Sequence, residues 1–373
     1  MFQFEIEKHS KKSLARKGII KMSHGEVKTP AFLPCATFGT VKGISFEELK
    51  VIGFEMILAN TYHLYLRPGD GKIKKMGGLN QFIGWQKPIL TDSGGYQIFS
   101  LGKNYTDYQK VKNKKKSLAE IDSEGVTFKS HLDGGKHFFS PEKIIDIQKN
   151  LGSDIMMVLD ECTEYPASYQ RAEQSIKITH LWAKKSIDYW QRFKNPKQAL
   201  FGIVQGSVYR DLRNQSVDYI SSLPFDGLAV GGVSVGEGKI KMRKVIRWMG
   251  PKLPIEKPHY LMGVGEPEDI IEAIKWGFDL FDSVLPTRLG RHGTCWTTNN
   301  WQNFSKINLK SSRYQTDKRT IQKNCQCFSC QKGYSRAYLG HLFKNKEMLG
   351  LRLASLHNLW IIRDLLRRIR KSI

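Results

Sequence analysis

Reactive residue types are packed most densely near the C-terminus. Cys325-Gln326-Cys327-Phe328-Ser329-Cys330 is followed, after 26 intervening residues, by His357. Three thiolates and an imidazole at such spacing suit one tetrahedral zinc ion. Protein fills all four positions, so the ion would be structural and would leave no open place for a substrate. Unpaired thiols and a core histidine are the bland alternative. They fit poorly with so dense a cluster in a polar stretch. The reaction chemistry must therefore lie elsewhere.

A second set of candidates sits at the ends of short apolar runs. These ends are Thr91-Asp92-Ser93-Gly94-Gly95-Tyr96, Asp160-Glu161-Cys162, Gln205-Gly206, Gly231-Gly232-Val233, Gly263-Val264-Gly265-Glu266 and Phe281-Asp282-Ser283. Two facing carboxylates are what glycosidic chemistry needs. One attacks or stabilises an oxocarbenium-like centre, and the other moves protons. Asp160, Gln205 and the backbone amides around Gly231-Gly232 can read the edge of a heterocyclic base. Tyr96 and Met262 can cover its flat faces. Taken singly, an aspartate beside a turn is more often a cap than a catalyst. Four acid or amide groups at four such ends reverse that ratio if the ends meet at one mouth.

Such ends converge only if the runs are parallel strands. The runs are Ala31–Cys35, Met56–Ala59, Pro88–Thr91, Ile155–Leu159, Leu200–Val204, Gly227–Val230, Tyr260–Gly263 and Leu280–Val284. Several are continuously apolar, as strands buried on both faces are. Between them lie amphipathic stretches at Pro141–Leu151, Tyr169–Gln191, Val208–Ser222, Lys239–Met249 and Pro267–Gly277. Ser140-Pro141-Glu142 supplies an N-cap and a proline in the first turn. The helix at Pro267 is expected to begin the same way, after Gly265-Glu266. Strands alternating with helices predict an α/β fold, a (β/α)8 TIM barrel spanning residues 1–373. A doubly wound sheet is disfavoured, because no glycine-rich phosphate fingerprint follows the first strand. The stretch 291–357 reads as a zinc-binding subdomain inserted after the eighth strand. Residues 347–371 read as a terminal helix closing the barrel.

The charge is lopsided. Lys and Arg number 59 against 35 Asp and Glu, a formal net of +24. That excess favours a polyanionic partner, most simply nucleic acid. Outside the zinc pattern only Cys35, Cys162 and Cys295 remain. An odd, scattered set fits a reducing cytosol better than a disulfide framework. The N-terminus has acidic residues where a secretion signal needs basic ones, and no apolar run reaches the ~18–20 residues of a membrane span. A soluble cytoplasmic protein with no membrane partner is expected. Lys110–Lys116 holds five lysines in seven residues. It is expected to form a mobile loop, with an RNA-phosphate contact as the alternative.

Longer stretches carry a resemblance. Asn60-Thr-Tyr-His-Leu64, Thr91-Asp-Ser-Gly-Gly-Tyr96, Asp160-Glu-Cys162, Gln205-Gly-Ser207, Ala229-Val-Gly-Gly232, Asp282-Ser-Val-Leu-Pro-Thr-Arg288, Ser335-Arg-Ala-Tyr338 and His357-Asn358, with the cysteine pattern, resemble the bacterial tRNA-guanine transglycosylases. The likeness spans nearly the whole chain. It implies exchange of guanine at the wobble position of a tRNA anticodon for a 7-deazaguanine base, within queuosine biosynthesis. By the same likeness Asp282 is the nucleophile and Asp92 the general acid/base. Asp160, Cys162, Gln205 and Gly232 read the base edge, and Tyr96 and Met262 stack on it. Glu237 supports the peptide around Val233. Cys162 and Val235 point to 7-aminomethyl-7-deazaguanine, because a valine at 235 fills space that the bulkier queuine needs. Arg288 and Arg291 contact neighbouring nucleotides, and the target base leaves its stack to enter the pocket. One structural zinc, a homodimer and a tRNA partner are implied as well.

Three departures from that pattern stand out. Residues 103–123 are longer and more basic than the usual family loop. Gly333 reads as an extra residue, and Gly340 stands where a histidine is common; both bear on the dimer contacts. Other readings predict differently. The same chemistry could take queuine or an archaeal-type base. A non-catalytic tRNA-binding subunit would be expected to lack Asp92 or Asp282, and both are present. A plain sugar glycosidase would need neither the charge nor the zinc module.

Overall fold

The computed structural model describes residues 2–99, 119–193, 195 and 197–373. Parallel strands Ala31–Ala36, Ile57–Ala59, Ile89–Thr91, Ile155–Met157, Ala199–Val204, Gly227–Val230, His259–Leu261 and Leu280–Ser283 form one closed barrel. Each of the expected apolar runs contains or overlaps one of them. The barrel closes where its first and last strands pair, with Leu280 opposite Ala31 and Ser283 opposite Pro34. Strand residues such as Ile57, Leu90, Met156, Ile203 and Leu228 are buried in a single apolar core. Burial on both faces explains why these runs lack polar alternation.

The helices follow the sequence pattern closely. Pro141–Leu151 starts on Ser140, whose hydroxyl accepts from the Lys143 amide, and stops on left-handed Gly152. Pro267–Lys275 also has proline at its first turn, but Glu266 makes no side-chain cap. Its carboxylate is taken instead by the Trp296 indole and by Lys306. Two small sheets were not foreseen. Gln3–His9, Arg16–Met22 and Gly25–Thr29 form an antiparallel sheet before the first barrel strand. Its Arg16 reaches Asp279, just before the last barrel strand, through contacts of 3.0 and 2.6 Å, with both side chains buried. Ala119–Ile121, Val126–Lys129 and Lys136–Phe139 form another sheet after the third strand. Lys110–Lys116 lies outside the described residues.

Beyond the eighth strand come a hairpin, Thr294–Thr298 with Phe304–Asn308, and the helices Phe328–Gln331 and Arg336–Lys344. They share a second apolar cluster with Leu353 and Ala354 of the terminal helix, Met348–Ser372. That helix also packs on the first barrel strand and on helix Leu285–Arg291. Gly340 has a local reason: a Cβ there would lie 2.7 Å from the Leu309 carbonyl oxygen, so the helix can approach that carbonyl only without a side chain. Among the described residues no helix is long and apolar enough to cross a membrane.

Candidate active site

The C-terminal strand ends surround a cavity of about 390 Å³. Its wall includes Asp92, Tyr96, Asp160, Cys162, Gln205, Gly232, Val233, Val235, Met262, Asp282 and Arg288. Glu237 and Arg291 are not part of that wall. Arg291 ends helix Leu285–Arg291 half-buried, and its Nε has no partner among the described residues.

Asp92 follows the third strand. Its Oδ2 accepts from the Asn60 amide at 2.5 Å and its Oδ1 from the Thr61 backbone at 3.0 Å. Burial still dominates and pushes the carboxyl up to about 7; the donors oppose that rise and the charge of Asp282 adds to it. Asp282, on the last strand, takes the Tyr260 hydroxyl at 2.6 Å and the Gly263 amide at 2.8 Å on one oxygen. The Cys35 thiol lies 3.5 Å from the other. Burial raises this carboxyl too, while those donors favour its ionised form. Two carboxyls thus share one cavity, each with its own donors.

Another part of the cavity wall is polar. Asp160 accepts from the Gln205 amide at 2.6 Å and from the Ser93 hydroxyl at 3.4 Å. Burial lifts it to about 6 against those donors. Gly232 has φ 62°, and a Cβ there would sit 2.3 Å from the Gln205 amide oxygen. Only glycine lets this peptide lie against Gln205. Arg213, wholly buried, donates to the carbonyls of Val204, Ser207, Gly231 and Gly232 at 2.8–3.1 Å. Burial lowers its guanidinium to about 10, with the Cys162 and Glu237 charges opposing. Glu237 accepts from the Ser234 and Val235 amides at 2.6 and 2.9 Å, which fixes the peptide after Val233. Tyr96 is 53% exposed at the rim, and Met262 is half-buried.

Sequence reasoning passed over the supports. Asn60 and Thr61 stand in a motif that gives them no task of their own. Tyr260 reads as strand core. Cys35 reads as a spare thiol. Arg213 offered one clue, a cation on the apolar face of helix Arg210–Ser222 beside Leu212 and Val217.

The zinc pattern also converges. The Sγ atoms of Cys325, Cys327 and Cys330 lie 3.7, 3.3 and 3.6 Å from Nδ1 of His357, and the four ligand atoms fall within 4.8 Å of one another. A tetrahedral zinc with ordinary bond lengths sets its ligand atoms about 3.6–3.8 Å apart. Nε2 of His357 faces the Trp296 carbonyl oxygen at 2.8 Å, which holds the proton there and leaves Nδ1 for the metal. The donor set fits a structural zinc.

A barrel whose mouth holds two such carboxyls in a cavity with polar walls suits an enzyme acting at a glycosidic carbon. The family described as queuine tRNA-ribosyltransferase matches residues 10–373. A queuine tRNA-ribosyltransferase of Psychrobacter sp. (strain PRwf-1) is 48% identical over 372 residues, covering 100% of this chain and 93% of that protein. That of Dictyoglomus turgidum is 46% identical, covering 99% and 90%. That of Thermodesulfovibrio yellowstonii is 47% identical, covering 97% and 89%. The chain belongs to the queuine tRNA-ribosyltransferase family, whose members are tRNA-guanine transglycosylases.

Proposed function

We propose that this enzyme replaces guanine at the wobble position of tRNA with 7-aminomethyl-7-deazaguanine, in queuosine biosynthesis, through a covalent bond between Asp282 and ribose. The observation that carries the reading is the pair of carboxyls, Asp92 and Asp282, on one cavity with the buried Asp160–Gln205 pair beside them. Asp282 attacks the anomeric carbon. Asp92, whose carboxyl burial raises to about 7, gives its proton to the leaving guanine and later takes one from the incoming base. Asp160, Gln205 and the Gly232 peptide read the base edge, with Cys162 beside them. Tyr96 and Met262 cover the ring faces. Two successive displacements at one carbon retain configuration. One glycosidic bond replaces a similar one, so the exchange needs no energy-rich co-substrate.

Val235 lines the cavity on a peptide held by Glu237, and its side chain supports a base no larger than the aminomethyl form. Arg288 on the rim, with Arg291 behind it and a net charge of +24, serves the RNA backbone. Cys325, Cys327, Cys330 and His357 hold one zinc, which staples the 291–357 subdomain to the terminal helix and takes no part in the chemistry. Exposed Phe328 and Tyr338, with Tyr334 stacked on Tyr338 at 5.8 Å, form an apolar face suited to a second copy of the chain. A cytoplasmic location follows from a tRNA substrate. The test is incorporation of labelled guanine into unmodified tRNA by the native enzyme and by Asp282→Asn. Incorporation that disappears in the variant is expected; incorporation that survives excludes Asp282 as nucleophile. Competition by 7-aminomethyl-7-deazaguanine but not by queuine is the expected result for the base.

A further inference from the structure

The two oxygens of Asp282 have unlike surroundings. Oδ1 accepts two ordinary hydrogen bonds, from Tyr260 at 2.6 Å and from Gly263 at 2.8 Å. These occupy its two lone pairs. Oδ2 has one partner among the described residues, the Cys35 thiol at 3.5 Å. A thiol is a weak donor, so Oδ2 retains most of its electron density. Cys35 reaches it because the first and last barrel strands are neighbours, and both residues line the cavity. A strong donor on an attacking oxygen would stabilise the ground state more than a transition state in which that charge is vanishing. With no donor, the oxygen would be free to turn or to take up water.

We propose that Oδ2 is the atom of Asp282 that bonds ribose, and that Cys35 is the positioning residue that aims it. The inference rests on Asp282 being the nucleophile. A lone pair of Oδ2 forms the Oδ2–C1′ bond as the C1′–N9 bond breaks. The electron pair leaves with guanine, whose N9 takes the proton of Asp92. Oδ1 becomes the ester carbonyl oxygen and keeps its two donors. The thiol contact loosens as Oδ2 loses charge and re-forms when the incoming base displaces it. Cys35 moves no proton, because burial and the neighbouring carboxylates hold its thiol well above the ordinary range. The titratable groups facing Asp282 are Cys35 on the first barrel strand, Tyr260 on the seventh and Asp92 after the third.

The test is single-turnover formation of the denaturant-stable protein–tRNA adduct as a function of pH, using an unmodified tRNA transcript. Cys35→Val removes the donor at similar volume. Its acid limb, which reports ionisation of Asp282, should rise by about half a unit, the scale of one weak hydrogen bond. The plateau rate should fall roughly threefold to tenfold, with KM for tRNA unmoved. Cys35→Ser, a stronger donor, should shift the limb down. Limbs that stay in place while only KM changes would reduce Cys35 to a piece of wall and overturn the proposal. A crystal structure of the trapped native adduct reads the same point directly: a bond at Oδ2 is expected, and a bond at Oδ1 with Tyr260 displaced overturns it. A native enzyme that forms no adduct at all removes the nucleophile assignment, and this inference falls with it.

Discussion

Asn60 uses both ends of one amide. Its oxygen caps helix Thr61–Leu66 by accepting from His63, and its nitrogen donates to Asp92. The donor favours the ionised carboxylate, so it holds Asp92 lower than burial alone would. Asn60→Ala should therefore let the Asp92 carboxyl rise further above about 7. Asp92 must carry a proton to release guanine, so the alkaline limb of adduct formation should move to higher pH. Loss of the cap should cost about 1 kcal/mol of stability. A pH–rate profile with a melting curve checks both, and a limb that stays in place would mean that Asn60 only caps. At this scale the sequence was legible where polar residues interrupt an apolar run. Asp92, Asp160 and Asp282 stand out that way. Tyr260 does not, because a phenol inside His259–Leu261 looks like filling, and only Asp282 on the adjoining strand gives its hydroxyl a task.

Elements carry the recognition peptides. Arg213 belongs to a helix outside the barrel, yet its guanidinium binds the carbonyls of four strand-end residues. It clamps the ends of the fifth and sixth strands without touching the cavity. Arg213→Met would orphan buried carbonyls at a cost of a few kcal/mol. The expected kinetic result is a KM for guanine raised about tenfold or more, with a smaller fall in kcat; steady-state exchange at several base concentrations checks it. A fall in kcat alone would show that the clamp serves the carboxyls instead. The barrel strands were readable because continuous apolar runs in this chain come separated by amphipathic helices. The first small sheet was passed over, although Phe4 and Ile6 alternate with charged residues in the strand pattern. The second has a strand of only three residues, Ala119–Ile121, too short for periodicity to show.

At the scale of the whole molecule, one helix joins two cores. His357 lies inside Met348–Ser372, which packs on the first barrel strand and on helix Leu285–Arg291, just after Asp282, while presenting Nδ1 to three thiols. Removing zinc with a chelator should lower the melting temperature by several degrees and weaken self-association. Native mass spectrometry should count one zinc per chain before treatment and none after. The pH profile of adduct formation by the protein still folded should stay where it was, because no catalytic group depends on the metal's charge. A shifted profile would mean that the zinc core reaches the nucleophile through this helix.

The pairing of the first and last barrel strands also has a consequence in time. Ribosomes make Asp92, Asp160 and Gln205 well before Asp282, and the ring cannot close until Leu280–Ser283 meets Ala31–Ala36. A chain cut short during synthesis would hold the proposed acid and base-reading groups but not the proposed nucleophile. Such a fragment cannot open a glycosidic bond that it would then fail to reseal, so an interrupted synthesis leaves tRNA intact.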